Sequence, residues 1–299
     1  MKAMILAAGL GTRLQPLTDI KPKALVPVAN RPAIARTIAL LKSHGFDRLV
    51  VNAHHHHRQM VDYLEGGRPF GIEIQVRVET EILGTGGGIR NTADFWDSEP
   101  FIVINSDILT DIDLGRAYEY HQKQGRLATL VLHDCEPFNQ IRVDESGNII
   151  DIGQRRQSGR LAFTGIHIIN PDLLSAILAG KSSNIIDCYR QLIRTGQSIS
   201  GYVSEKHYWR DIGSIDSYKR ANRELIEEAF SIGPGSRIDA SASLEEWAVI
   251  GENTEIEEDV QIRGSILWEG VTVKRGKKVV NSIITSFKEV DRDLSGEIY

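Results

Sequence analysis

Short runs of consecutive apolar residues, rich in branched side chains, recur along the chain at 3–7 (AMILA), 48–53 (RLVVNA), 73–78 (EIQVRV), 101–105 (FIVIN) and 128–133 (ATLVLH). Continuous apolar runs of this length predict strands buried on both faces. Between them, 31–45 (RPAIARTIALLKSHG) and 57–66 (HRQMVDYLEG) space their apolar residues by three and four, the period of a helix that packs one face. The alternation predicts an α/β fold with a doubly wound, mainly parallel sheet. The pattern then loosens into a turn at 146–148, a strand at 161–170, a helix after Pro171 and Asp172, and a charged amphipathic helix from about Ile215 to Phe230.

From Ile232 the texture changes. Ile232, Ile238, Leu244, Ile250, Ile256 and Ile262 recur at intervals of six, which suits neither helix nor extended strand. This is the hexapeptide signature of a parallel β-helix, in which one apolar residue per short strand enters a prism-shaped core. Gly233, Gly235, Gly251, Asn253 and Gly264 fall near the corners, where turn residues are needed. The register slips after Ile262. The expected organisation is a domain at 1–230, a short C-terminal β-helix at 231–285 and a polar, loose or docking tail at 286–299.

At 299 residues the chain has room for a sizeable core and two domains. Lys and Arg total 35 against 40 Asp and Glu, a net charge of −5 that gives no global reason to bind nucleic acid or anionic lipid. The first apolar run is broken by Gly9, Gly11 and Arg13 before it could form a signal-peptide core, and no stretch approaches a membrane span. Cys135 and Cys188 form no CxxC and no framework of bridges, which fits a reducing compartment. A soluble cytoplasmic protein is expected, with no nucleic-acid and no membrane partner.

Candidate chemistry begins at the first strand's end. A glycine-rich turn leaving a buried strand lets backbone N–H groups approach an anion that a Cβ would obstruct. GLGTRL lacks the third glycine of the dinucleotide fingerprint, and GxxxxGK[ST] occurs nowhere. The glycines alone would equally suit a plain tight turn. Arg13, Lys23 and the prolines at 16, 22, 27 and 32 favour a triphosphate site. Asp107 directly follows FIVINS, at the carboxyl end of a predicted parallel strand, where open α/β sheets bind ligands. Asp111 and Asp113 read instead as turn or capping residues.

The stretch at 6–28, LAAGLGTRLQPLTDIKPKALVPV, resembles the signature of the sugar-1-phosphate nucleotidylyltransferases, also called NDP-sugar pyrophosphorylases. The resemblance spans roughly 1–228 and implies a Rossmann-like nucleotidyltransferase domain. A left-handed β-helix is appended in several branches of that family. It implies nucleotide contacts from Leu6, Ala8, Gly9, Gly11, Thr12, Arg13 and Lys23, and from Glu79, Gly84 and Thr85 in VETEILGTGGGIRN (78–91). It further implies Mg²⁺ held by Asp107 and by Asp211 of HYWRDIGSIDSY, and makes Arg13, Lys23, Asp107 and Asp211 the catalytic set. Asn139, Thr164 and Gly165 match positions near the sugar phosphate.

Four glycines at 84 and 86–88 suggest backbone approaching something flat or charged. A carboxylate at Glu79 can accept from ring N–H donors, of which guanine offers more than uracil. The expected partners are therefore GTP or UTP and a sugar 1-phosphate. The family's EKP element is absent from IDIGQRRQSGRLAFTGI, so Arg155 or Arg156 would have to supply its charge. That departure resembles the N-acetylmuramate-1-phosphate uridylyltransferases, whereas the added β-helix, a possible seat of homo-oligomer contacts, resembles mannose-1-phosphate guanylyltransferases. A non-catalytic nucleotide-sugar-binding paralogue is the alternative of another class. The His54–His57 run reads as a solvated face rather than a metal site.

Overall fold

The computed structural model describes residues 1–136, 138–153 and 158–299, so Arg155 and Arg156 lie outside the described residues. Chain contacts divide the protein into two compact units. The first comprises Met1–Leu10, Pro22–Ala24 and Ile34–Arg210; the second comprises Gly11–Lys21, Leu25–Ala33 and Asp211–Tyr299. Where the sequence suggests a boundary near residue 230, this grouping divides the chain at Arg210. It also assigns two pieces of the signature stretch to the same unit as the C-terminal strands.

In the first unit, β1 (Lys2–Leu6), β2 (Arg48–Ala53), β3 (Glu73–Val78) and β4 (Phe101–Asn105) form the parallel part of a sheet in the order β3-β2-β1-β4. Met4, Val50, Phe101 and Val103 are fully buried, as continuous apolar strands require. Helices α1 (Ala33–Ser43), α2 (His57–Leu64), α3 (Gly84–Arg90) and α4 (Leu114–Gln124) alternate with strands, and the Asp113 side chain caps α4 by accepting from Arg116 N. Because the chain moves outward from β1 to β2 and β3 and then returns to β4, order reverses at β1. A crevice at the carboxyl ends of β1 and β4 is the usual ligand position in such sheets.

The sheet's second half departs from the parallel expectation. Strand β8 (Leu161–Ile169) runs antiparallel to β4 and to β5 (Ala128–His133), and β6 (Asn139–Val143) and β7 (Ile149–Ile152) continue antiparallel beside it. Strand β9 (Ser200–Val203) returns parallel to β5. Direction leaves no trace in an apolar run, so the pattern identified β5 and β8 without orienting them, and it did not mark β6, β7 and β9. After Pro171 the chain forms only a short 3₁₀ turn, Pro171–Ala176, and the α-helix follows at Ile185–Arg194, α5.

In the second unit, α6 (Ile215–Leu225) leads into a stack of short parallel strands. Ile232 pairs with Ile250, Ile238 with Ile256 and Leu244 with Ile262, so each strand pairs in parallel with the one 18 residues later. The first coils repeat with a spacing of 18 residues, and a bulge between Glu245 and Ala248 shortens the next spacing to 17. This shortening is the physical source of the register slip. Ile250, Ile256 and Ile262 fill the core at 0%, 2% and 0% exposure, whereas Ile232, on a strand paired along one edge, is 50% exposed. The stretch expected to be a loose tail is ordered: Glu289–Val290 pairs with Thr272–Val273, and Leu294–Ser295 pairs with Lys278–Val280. Val290 and Leu294 are buried and extend the apolar core, and Tyr299 packs against it. Among the described residues no helix is long and apolar enough to cross a membrane.

Candidate active site

The first unit gathers one set of candidate residues where β1, β2 and β4 end. Leu6 pairs with both Asn52 and Asn105, and its carbonyl accepts from Ser106 N at 3.0 Å. The next residue but one after Asn105 is Asp107, whose carboxylate is ion-paired with the Lys23 ammonium. The ammonium of the signature stretch and the carboxylate at the end of β4 therefore meet. Ala8 is buried, while a Cβ at Gly9 would find open space. The chain leaving β1 thus exposes backbone beside a paired ammonium and carboxylate.

Asn52 ties this exit to the Gly-rich segment. Its Oδ1 accepts from Ala7 N at 2.7 Å, and its Nδ2 donates to Glu79 Oε1 at 2.8 Å. Glu79 is 3% exposed, and its Oε2 accepts from Leu83 N at 3.0 Å. Both carboxylate oxygens are thus engaged in fixing the turn into α3. The glycines of that turn also have an internal reason. A Cβ at Gly84 or Gly87 would lie 2.5 Å from the carbonyl oxygen of Ser183 or Lys181, and one at Gly88 would lie 2.8 Å from Asn52 Nδ2. What the glycines admit includes the flat peptide backbone of 181–183. Thr85 Oγ1 in turn accepts from Ile185 N at 3.0 Å and so helps start α5.

The residues matched to the sugar phosphate support the scaffold. Asn139 is 4% exposed; its Oδ1 accepts from Cys135 N at 2.9 Å and its Nδ2 donates to Asp134 at 2.7 Å. Thr164 is fully buried and donates to Val131 O at 2.8 Å. Gly165 has φ +81°, and a Cβ there would lie 2.9 Å from Asn105 Nδ2. Close by in the fold is a cluster that sequence reasoning missed. At the carboxyl end of β5, His133 Nδ1 lies 3.2 Å from His207 Nε2, with Trp209 edge-on at 4.7 Å and Trp209 Nε1 donating to Thr164 O at 2.9 Å. Burial, with the neighbouring His207 adding to it, pushes His133 down to about 4, and burial lowers His207 as well. Both imidazoles are neutral near pH 7 and can exchange hydrogen bonds without adding charge. Trp209 was visible in the W-x-D-x-G element; nothing local marked the two histidines.

The second unit holds the other set. Gly11 adopts φ +67° and starts the turn Thr12–Leu14, whose Arg13 side chain is exposed. Arg13 lies 4.0 Å from the Asp211 carboxylate, and the Asp211 carbonyl accepts from Ser217 Oγ at the start of α6. A Cβ at Gly213 would lie 2.6 Å from Asp211 Oδ1 and 2.8 Å from an Arg13 guanidinium nitrogen, so the glycine of the WRDIG stretch is what lets the two approach. Among the described residues no group of three or more His, Cys, Asp or Glu gathers as a metal cage. In the histidine run, His54 Nδ1 lies 2.8 Å from Glu79 O and His57 Nδ1 lies 3.1 Å from His54 O.

Known proteins are similar to this chain in sequence and in fold. The chain is 34% identical over 230 residues to an N-acetylmuramate alpha-1-phosphate uridylyltransferase of Neisseria meningitidis, covering 74% of this chain and 96% of the relative. It is 30% identical over 303 residues to mannose-1-phosphate guanylyltransferase 1 of Arabidopsis thaliana, covering 93% of this chain and 82% of the relative. Among solved structures, HddC from Yersinia pseudotuberculosis complexed with GMP-PN superposes with a TM-score of 0.66 at 22% identity, over 75% of this chain and 99% of that one, which shows a common fold. The family described as nucleotidyl transferase matches residues 2–228, and the chain belongs to that family of nucleotidyltransferases.

Proposed function

We propose that the protein is a sugar-1-phosphate nucleotidylyltransferase that converts an NTP and a sugar 1-phosphate into an NDP-sugar and diphosphate, with mannose 1-phosphate and GTP as the best-supported pair. Several mannose-1-phosphate guanylyltransferases that align with nearly the whole chain support this reading, the Arabidopsis one over 93% of it. A UTP–glucose-1-phosphate uridylyltransferase of Synechocystis aligns with 97%, so coverage favours relatives with the C-terminal strands over the Neisseria uridylyltransferase at 74% without by itself choosing the base. The higher identity of the Neisseria uridylyltransferase and the absent EKP element favour N-acetylmuramate 1-phosphate and UTP as the second reading. In domain terms, residues 1–230 would carry the transfer, and the stack at 231–285 would be a left-handed β-helix.

The sugar-phosphate oxygen is already an anion, so its attack on the α-phosphorus needs no general base. A P–O bond forms to the sugar phosphate, the bond to the bridging oxygen breaks, and diphosphate leaves. Positioning and charge stabilisation must then carry catalysis. The Gly11–Arg13 turn offers backbone amides, with Arg13 countering the charge on departing diphosphate. Lys23 steadies the phosphates, while Leu6, Ala8, Gly9 and Thr12 shape the cradle. Glu79, Gly84 and Thr85 order the base side, and Gly165, with Asn139 and Thr164 behind it, the sugar side.

Mg²⁺ is the implied metal, and the donor chemistry fits it. Asp107 presents hard carboxylate oxygens and already balances a cation, the Lys23 ammonium, at the strand end. Asp107 and Asp211 would supply the protein ligands, leaving other positions to phosphate and water, the usual Mg²⁺ arrangement. The metal would stabilise charge on the transferring nucleotidyl group. A grid of UTP, GTP, CTP, ATP and dTTP against a panel of sugar 1-phosphates, read as diphosphate release, tests the reading. Turnover confined to GTP with mannose 1-phosphate is expected, and turnover confined to UTP with N-acetylmuramate 1-phosphate selects the second reading. Tight nucleotide-sugar binding with no release in any cell would leave the non-catalytic paralogue.

A further inference from the structure

The signature stretch is anchored through a residue that lies outside the proposed catalytic set. Lys21 Nζ donates to Glu269 Oε1 at 2.5 Å and lies 5.6 Å from the centre of the Trp268 ring. The Lys21 and Glu269 side chains are 24% and 29% exposed, so the pair is shielded from water more than an ordinary surface ion pair. Trp268 is itself buried and fixed: its Nε1 donates to Tyr218 OH at 2.9 Å, which donates to Pro27 O at 2.7 Å. Just beyond the stretch, Asn30 Nδ2 donates to Ile250 O at 2.9 Å and so ties the following residues to the stacked strands.

On the other side of Lys21 the connections lead to the turn. Lys21 N donates to Leu17 O at 3.3 Å, Thr18 Oγ1 donates to Gly11 O at 3.1 Å, and Leu14 N donates to the same carbonyl at 2.8 Å. Leu14 and Leu17 are fully buried, so the short helix Leu17–Ile20 moves as a packed piece with the turn. Every contact in this series lies within the second unit, which also contains Arg13. Shifting Lys21 therefore shifts the Gly11–Arg13 amides and guanidinium.

We propose that Glu269, acting through Lys21, is a positioning residue that holds the Gly11–Arg13 turn in its phosphate-binding form. The proposal rests on the reading of that turn as a triphosphate cradle. It makes the C-terminal strands part of the nucleotide site's support, a support that a chain of transferase-domain length could not contain.

The test compares the full-length protein with Glu269→Gln, Lys21→Met and the double variant, by amide hydrogen exchange without nucleotide and by steady-state kinetics. In Glu269→Gln, amides of 11–21 should exchange ~10-fold faster while the amides of Ile256 and Ile262 keep their protection. KM for the NTP should rise ~10-fold with kcat within about 2-fold, and Lys21→Met should reproduce this with no further loss in the double variant. Lys21→Arg should retain the wild-type KM. Unchanged exchange in 11–21 overturns the anchor whatever the substrates are; faster exchange with an unchanged nucleotide KM overturns the positioning role. An unaltered enzyme that releases no diphosphate defeats the functional reading instead, and the exchange result still decides the anchor.

Discussion

Asn52 shows how single residues join parts of the site that are distant in sequence. One amide satisfies both Ala7 N at the exit of β1 and Glu79 at the entry to the Gly-rich turn. The signature motif, Asp107 and the WRDIG stretch were legible because each sits at a strand end or glycine turn where residue type reflects chemistry. Asn52 was not, because an asparagine inside RLVVNA carries no local mark and its partner is 27 positions away. Arg13 is the side chain whose loss should be felt most directly in chemistry. If its charge acts chiefly in the transition state, Arg13→Ala should lower kcat by ~10²-fold with little change in thermal stability, read by diphosphate release and calorimetry.

The buried histidines give a second residue-scale consequence. Burial lowers His121 and His133 from 6.5 to about 4 and His167 to about 3. Each resists protonation in the fold but accepts a proton when unfolded, so its contribution to stability is complete above pH 6.5 and is lost as pH falls towards 4. For the fully buried His167 the slope should be about 1.4 kcal/mol per pH unit within that window. Urea midpoints measured from pH 7 to pH 4 should fall steeply, and His167→Gln should flatten the fall. A midpoint independent of pH across that range would contradict the assignment.

At the scale of elements, the stacked strands show which patterns a sequence can carry. A period of six was readable because inward positions must be apolar in strand after strand of the stack. The last strands were not, since Val290 and Leu294 are the buried apolar positions of a mostly polar stretch, with Tyr299 packed against the same core. The antiparallel direction of β8 escaped notice for a different reason: strand polarity is decided by partners across the sheet. The glycines at 84 and 86–88 stood out in the sequence, and part of their cause lies in the backbone of 181–183, far along the chain. Burial along the stack yields a sharp contrast. Ile262→Ala should cost about 2–5 kcal/mol, because a sealed core site leaves a cavity. Ile232→Ala, at a half-exposed position, should cost less than about 1 kcal/mol, both read from denaturant midpoints.

At the scale of the whole molecule, the two compact units do not follow chain order. Lys23 and Asp107 belong to the first, and Arg13, Lys21 and Asp211 to the second. Sequence spacing cannot disclose such a division, because the signature stretch is continuous in the chain while its contacts are split between two cores. The motif therefore identified the chemistry, and the fold reveals which core supports each part of it. The account's central claim is that these residues transfer a nucleotidyl group to a sugar phosphate. The most direct measurement follows NTP carrying an α-phosphate label, incubated with Mg²⁺ and the sugar 1-phosphate panel. The account predicts label in an NDP-sugar with an equal amount of diphosphate released, whereas label that stays in NTP with every pair would contradict it.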